Sequence, residues 1–260
     1  MSELNDTIGI IGVGGLAGFL VEGIRRGGDR RPIVLSPRNA SRAAALAQRF
    51  DCRIAPSNQA VVDGAAIVIV ATPPKAALET IRALAWRARQ VLVCVAVDVD
   101  LARLRAAAPA PAVVRAMPSS ACAIGLGATP LYPGHPQARQ LFETVGAVYE
   151  LDDEAAFDAA TALAGYYLWM YALMDALVEA AEAARLPRPA AVGMVAGLTR
   201  AAAAAALGAD PQAPVRSPLD EHGKAGSMTA QGLAVLDAAE AFRPWREAYA
   251  TALRRLRRGG

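Results

Sequence analysis

Lysine is almost absent from this 260-residue chain: of 27 basic residues, only Lys75 and Lys224 are lysine and the rest are arginine. Histidine occurs twice, at 135 and 222, and cysteine three times, at 52, 94 and 122. Cysteines this far apart, with no metal-ligand spacing and no paired histidine, exclude a zinc finger or ribbon and a thiol nucleophile of recognisable type. They read as small buried hydrophobes of a reducing compartment, and no metal site is expected. Neither sign of charge dominates, since 27 basic residues face 24 acidic ones. The basic run Arg254-Arg255-Leu256-Arg257-Arg258 lacks interleaved aromatics, so it reads as a cationic helix end, and no nucleic-acid partner is expected. The N-terminus has no charged-then-apolar leader and no apolar run reads as long enough to span a bilayer. A soluble, cytoplasmic protein with no membrane partner is the expectation. Aromatics make up only 5%, so the 54% hydrophobic content rests on aliphatic residues and alanine, enough for a large core and too much for disorder.

What is present begins with Ile8-Gly9-Ile10-Ile11-Gly12-Val13-Gly14-Gly15-Leu16-Ala17, a buried strand running into a glycine turn and then a helix. Gly12 suits the tight turn, Gly14 and Gly15 a close approach of backbone to a diphosphate, and Ala17 close packing of helix on strand. The amides from Leu16 onward add the partial positive charge of a helix N-terminus. A second apolar run, Ile33-Val34-Leu35, follows at βαβ distance. That context favours a dinucleotide site over a merely structural glycine turn.

The end of the second strand bears on which dinucleotide. NAD-selective sites place a carboxylate there for the ribose hydroxyls, whereas this chain offers Ser36-Pro37-Arg38-Asn39-Ala40-Ser41-Arg42. Ser36 can donate to a 2′-phosphate, and Arg38 and Arg42 can pair with it through planar guanidiniums. Either arginine alone reads equally as a solvated helix-start charge. With no acid present, the set predicts NADPH.

The organisation changes near residue 150. Before it, apolar runs at 65–70, 91–97 and 112–116 alternate with helical segments, as parallel strands covered on both faces do. Residues 125–131 and 145–149 are expected as further strands at the sheet edge. Beyond Glu150 no strand is expected. Asp152-Asp153-Glu154 open what reads as one long helix to Arg185, with an apolar face through Leu163, Tyr166, Tyr167, Met170 and Leu173 that is too broad for a surface helix. Leu186-Pro187-Arg188-Pro189 breaks it. An alanine-rich helix is expected over 190–207 and another over 229–258, kinked at Pro244. The predicted fold is α/β: a Rossmann-type doubly wound sheet forming an NADP-binding domain at 1–152, then an all-helical dimerisation and substrate domain at 153–260. Apolar helices without enough core of their own predict a homodimer through residues 155–258.

The order of features resembles the pyrroline-5-carboxylate reductase family over nearly the whole chain. The resemblance rests on the glycine fingerprint, the Ala71-Thr72-Pro73-Pro74 turn after a strand, Val114-Arg115-Ala116-Met117-Pro118, the strand at Gly146 and the helical second half. It implies NADPH-dependent reduction of a C=N bond, with Ala71, Thr72 and Pro73 beside the cofactor and the substrate at a dimer interface. Three segments depart from the family. Ser119 replaces an Asn, Ala164-Gly165-Tyr166-Tyr167-Leu168-Trp169-Met170 replaces a small polar helix start, and Lys224-Ala225-Gly226-Ser227-Met228-Thr229 keeps only Gly226 and Thr229 of the family's substrate loop. The cofactor half matches while the substrate half is rebuilt, which suits a larger, more apolar small-molecule substrate.

Imine or carbonyl reduction needs a proton donor near the accepting nitrogen or oxygen. Lysine retained in an arginine-rich chain marks Lys224, and less strongly Lys75, because arginine does not surrender its proton. His222 lies in the same loop as Lys224, and His135 reads as a surface turn residue. Thr229 is either the imine-binding hydroxyl of the resemblance or the N-cap of the last helix. Tyr166 and Tyr167 are further phenol donors, or helix-packing rings. Three functions stay open: a divergent imine or activated-carbonyl reductase, a genuine pyrroline-5-carboxylate reductase of proline biosynthesis, and a non-catalytic NADPH-binding regulatory protein.

Overall fold

Short runs of β-branched residues, each broken by a turn, give a sheet whose two faces are both covered. In a computed structural model, which describes residues 6–222, 224 and 226–258, eight strands form one sheet. They are β1 (Ile8–Ile11), β2 (Ile33–Leu35), β3 (Cys52–Ile54), β4 (Ile67–Val70), β5 (Val91–Cys94), β6 (Ala112–Ala116), β7 (Gly127–Tyr132) and β8 (Gly146–Glu150). The spatial order is β3-β2-β1-β4-β5-β6-β7-β8. Strands β1 to β6 pair in parallel, β7 runs antiparallel to β6, and β8 is parallel to β7. Chain order reverses at β1, which lies between β2 and β4. That switch point is where a doubly wound sheet opens a crevice at its carboxyl edge. The expected edge strands are therefore present as β7 and β8, while β3 adds a strand too short and polar for its periodicity to show.

The period-2 alternation divides the core between the faces. Ile8, Ile10, Ile67, Ile69, Val91 and Val93 join one cluster with Leu20, Ile24 and Phe142, whereas Ile11, Val68, Val70, Leu92 and Cys94 join the other with Val61, Ile81 and Leu104. Each large side chain so buried contributes about 1.5–3 kcal/mol. The covering helices are α1 (Gly15–Arg26), α2 (Ala40–Phe50), α3 (Asn58–Gly64), α4 (Pro74–Arg82), α5 (Leu101–Ala107) and α6 (Pro136–Glu143). All three cysteines are buried and free, and burial pushes each thiol above its ordinary range.

The second half is helical: α7 (Glu154–Ala162), α8 (Ala164–Ala183), α9 (Arg188–Gly208), α10 (Ser217–His222), α11 (Met228–Ala238) and α12 (Phe242–Arg258). Two expected continuous helices are broken. The segment from Asp152 to Arg185 divides at Leu163, because α7 buries Phe157, Thr161 and Ala162 and is tied to the sheet by Arg115. The segment from Thr229 to Arg258 divides at residues 239–241, where Glu240 takes φ +49. Pro244 therefore sits in the first turn of α12, where a missing N–H costs no helix bond, and kinks nothing. His135, expected in a surface turn, is the N-cap residue of α6 and partly buried.

The chain forms two compact units, Met1–Ala164 with Leu253–Gly260, and Gly165–Ala252. The first is the sheet with its helices, α7 and the end of α12. The second holds most of α8 and α12 with α9, α10 and α11, and exposes Tyr166, Leu173 and Leu177 of α8 and Val192, Met194 and Leu198 of α9. Helix α9 also corrects the expectation that no segment reaches spanning length: its 21 residues are long and apolar enough to cross a bilayer, by length and composition alone. Alanine supplies much of that apolar character, and Arg200 lies inside it.

Candidate functional site

The glycine turn folds as its residue types dictate. Gly12 has φ +95, and a Cβ there would lie 2.6 Å from the Ala71 carbonyl carbon and the Thr72 nitrogen. Only glycine lets the turn after β1 press against the turn after β4. At Gly14 and Gly15 an added Cβ meets nothing within 4 Å. These two glycines leave space in front of α1 and are not forced by protein packing.

Helix α1 is open at its start. Gly14 is its N-cap, no side chain accepts from its first amides, and its first turn holds no acid. Helices α3, α5, α7 and α11 are instead capped by Ser57, Asp100, Asp153 and Ser227. An uncapped N-terminus behind clear space presents free donors and a partial positive charge, the arrangement that takes a diphosphate. Leu16 lies in that first turn, and Ala17 is fully buried and brings α1 close onto the sheet.

Two side chains of the β2–α2 loop hold the turn. The Ser36 hydroxyl accepts the Gly12 amide at 3.0 Å, and Asn39 Nδ2 donates to the Val13 carbonyl at 3.1 Å. Ser36 is buried. Its hydroxyl fixes the glycine turn by accepting the Gly12 amide, which uses a lone pair and leaves its O–H able to donate. An Asn one residue before a helix signals a capping or bridging amide, and Asn39 is the bridging kind. Arg38 and Arg42 are exposed at the start of α2, which has no side-chain cap and no acid in its first turn. Two guanidiniums and a free helix N-terminus suit a phosphate monoester there.

Ala71, Thr72 and Pro73 follow β4 beside Gly12, and the Thr72 hydroxyl is buried with no hydrogen-bond partner in the protein. Arg115, the arginine of Arg115-Ala116-Met117-Pro118, is structural. It is buried, ion-paired to Glu154 at 2.6 Å and Asp158 at 3.2 Å, with its guanidinium 4.4 Å from the centre of the Phe157 ring. Glu154 also accepts the Leu101 amide at 2.7 Å, so β6, α5 and α7 share one charge cluster around the buried Arg115.

Within the helical unit, Trp169, Ala172, Leu173, Pro244, Trp245 and Ala248 line an apolar cleft of about 390 Å³. Tyr166 meets Trp245 edge-on at 6.1 Å, so it packs between helices. Tyr167 is half-buried, and its hydroxyl lies 3.3 Å from that of Tyr171, whose pKa this hydrogen bond holds above the usual phenol range. Thr229 does not cap α11: Ser227 does, accepting from the Ala230 amide, and Thr229 is exposed one residue inside the helix. Lys224 and Lys75 are exposed. His222 ends α10, and its side chain lies outside the described residues. Among the described residues no hydrogen bond joins Lys224, Thr229 and Tyr167.

Comparison with known proteins agrees with both halves. A family model for NADP oxidoreductase, coenzyme F420-dependent, matches residues 7–98, and one for pyrroline-5-carboxylate reductase dimerisation matches residues 154–258. The chain is 32% identical to the pyrroline-5-carboxylate reductase of Pseudomonas aeruginosa over 196 residues, covering 71% of this chain and 72% of that one. It is 32% identical to the Mycobacterium tuberculosis pyrroline-5-carboxylate reductase over 218 residues, covering 77% and 73%. The fold matches that of the Streptococcus pyogenes 1-pyrroline-5-carboxylate reductase, with a TM-score of 0.83 at 22% identity over 98% and 99% of the two chains. It also matches the Plasmodium falciparum pyrroline carboxylate reductase solved with NADP bound, with a TM-score of 0.85 at 18% identity over the full length of both. The chain belongs to the pyrroline-5-carboxylate reductase family, and with it to the NADP-dependent oxidoreductases that act on C=N bonds.

Proposed function

We propose that this protein uses NADPH to reduce the C=N bond of a small metabolite, working as a cytoplasmic homodimer through residues 155–258. The observation that carries the reading is the uncapped N-terminus of α1 behind the clear space at Gly14 and Gly15, with Arg38 and Arg42 at the next helix start. These groups fit NADPH: the α1 amides hold the diphosphate, the two arginines hold the 2′-phosphate, and Ala71, Thr72 and Pro73 line its path along the sheet edge. NADPH supplies the hydride. The protein supplies orientation and a proton for the nitrogen, for which Thr229, Lys224, Tyr167 and His222 are the candidates. The domain division of this reading is cofactor binding over 1–152 and dimerisation with substrate binding over 153–260.

The substrate reading follows from the rebuilt helix start. Aromatic residues at Tyr166, Tyr167 and Trp169, with an apolar cleft beside Trp169, favour a substrate bulkier and less polar than the proline precursor. Relatives such as the pyrroline-5-carboxylate reductases of Pseudomonas aeruginosa and Mycobacterium tuberculosis favour the proline precursor itself. Following NADPH consumption with pyrroline-5-carboxylate and with a panel of larger cyclic imines tests both. Turnover of larger imines only supports the first, and efficient turnover of pyrroline-5-carboxylate supports the second. NADPH binding with no turnover of any imine or keto acid would refute catalysis.

A further inference from the structure

Four residues beyond β5, on the carboxyl edge of the sheet, Asp98 takes φ +63. Three other non-glycine residues share positive φ among those described: Asp51, Arg185 and Glu240. Each follows a helix, α2, α8 or α11, where a left-handed residue is an ordinary way to stop. Asp98 instead lies in the turn between β5 and α5, where aspartate is among the residues that tolerate a left-handed φ. Its carboxylate is also weakly partnered. Oδ1 is buried with no donor, and Oδ2 has Nη2 of Arg255 at 3.8 Å, beyond hydrogen-bonding distance and on a side chain 79% exposed. The neighbouring carboxylates have their partners: Asp100 accepts the Arg103 amide at 2.7 Å, and Glu154 and Asp158 share Arg115.

The position gives this charge a use. Strands β4 and β5 are neighbours, and the Val95 amide continues their ladder to the Val70 carbonyl at 3.1 Å. The loop carrying Asp98 therefore leaves the same edge as the Ala71-Thr72 turn that Gly12 presses against. A dinucleotide bound at the switch point extends along this edge away from α1, bringing its nicotinamide end toward the loops after β4 and β5. A carboxylate with little neutralisation there sets a negative potential in the crevice.

We infer that Asp98 is an electrostatic positioning residue that favours the oxidised nicotinamide over the reduced one, an inference that rests on the NADPH reading above. Hydride transfer moves a proton and two electrons from the ring to the imine carbon, while the nitrogen takes a proton from a donor. The ring thereby passes from neutral to singly positive. A fixed negative charge nearby stabilises that positive charge as it develops, which assists hydride donation and slows loss of the oxidised nucleotide.

Equilibrium binding of NADPH, NADP+ and 2′-phospho-ADP-ribose, without substrate, tests this. Asp98→Asn keeps the size and the tolerance of left-handed φ and removes the charge. It should weaken NADP+ by about tenfold while leaving NADPH within about twofold, a difference in the range one screened charge produces. Arg255→Ala removes the counter-charge and should shift the NADP+ to NADPH preference the other way. 2′-Phospho-ADP-ribose, which lacks the nicotinamide, should bind both variants as it binds the wild type. An unchanged preference in Asp98→Asn overturns the inference, as does an equal loss for 2′-phospho-ADP-ribose or an Arg255→Ala shift in the same direction. Wild type that binds neither NADPH nor NADP+ would instead refute the NADPH reading, and this inference with it.

Discussion

Gly12 and Gly14 are two residues apart and answer to different constraints. Gly12→Ala places a methyl against the backbone of Ala71 and Thr72 at a positive φ, so a loss of more than about 2 kcal/mol is expected, measured by urea unfolding. Gly14→Ala should cost under about 1 kcal/mol and yet weaken NADPH binding sharply, because its methyl enters the space in front of α1. Equal unfolding curves for the two variants would contradict this division. The pair Arg38→Ala with Arg42→Ala should raise the KM for NADPH at least about tenfold and leave that for NADH nearly unchanged, checked by steady-state kinetics. The glycine turn was legible because backbone freedom leaves a mark in sequence, and the missing acid marks Arg38 and Arg42 as the candidate phosphate pair. The buried role of Ser36 was not, since the same hydroxyl can face a phosphate or a backbone amide, and only the fold of the β2–α2 loop decides. Asp98 left no mark at all: its φ and its lack of a donor arise from tertiary structure.

At the scale of elements, the alternation of apolar residues revealed the strands, since burial on both faces leaves runs with few polar interruptions. Breaks in the helices were hidden. Leu163 and residues 239–241 carry no proline or glycine stop, and the first break follows from Arg115 binding α7 to the sheet through Glu154 and Asp158. Arg115→Met leaves those two half-buried carboxylates without their cation, and a loss of about 2 kcal/mol is expected in chemical denaturation. An effect under about 1 kcal/mol would show that the cluster does not hold α7. Helix α6 carries a pH dependence. Burial pushes the His135 imidazole below its ordinary range, and its Nδ1 has no partner. Above about pH 6.5 both the folded and unfolded chains hold a neutral ring, so no stability is lost there. Below it the unfolded chain binds a proton that the folded chain resists, so stability falls as pH drops toward the folded value. His135→Asn, which removes the titrating ring, should flatten that slope in unfolding midpoints measured between about pH 7 and 5.

The whole molecule leaves apolar helix faces uncovered by its own chain, in α8, α9 and α11. The homodimer proposed above would cover them, and would account for an α9 of bilayer-like composition that yet carries Arg200. Sedimentation of the wild type should give a dimer mass, and Leu198→Glu, at an exposed position of α9, should shift it toward the monomer. A wild-type monomer mass at every concentration would sink the homodimer. The division of α12 between the two compact units has a further consequence, for synthesis. The sheet ends at Glu150, but residues from Leu253 onward belong to the same unit, so contacts there join residues very distant along the chain. A ribosome delivers those residues only after the whole helical unit has emerged. During translation the contacts that the end of α12 makes within the sheet unit can form only after the helical unit has been made, so they are the most non-local contacts of that unit.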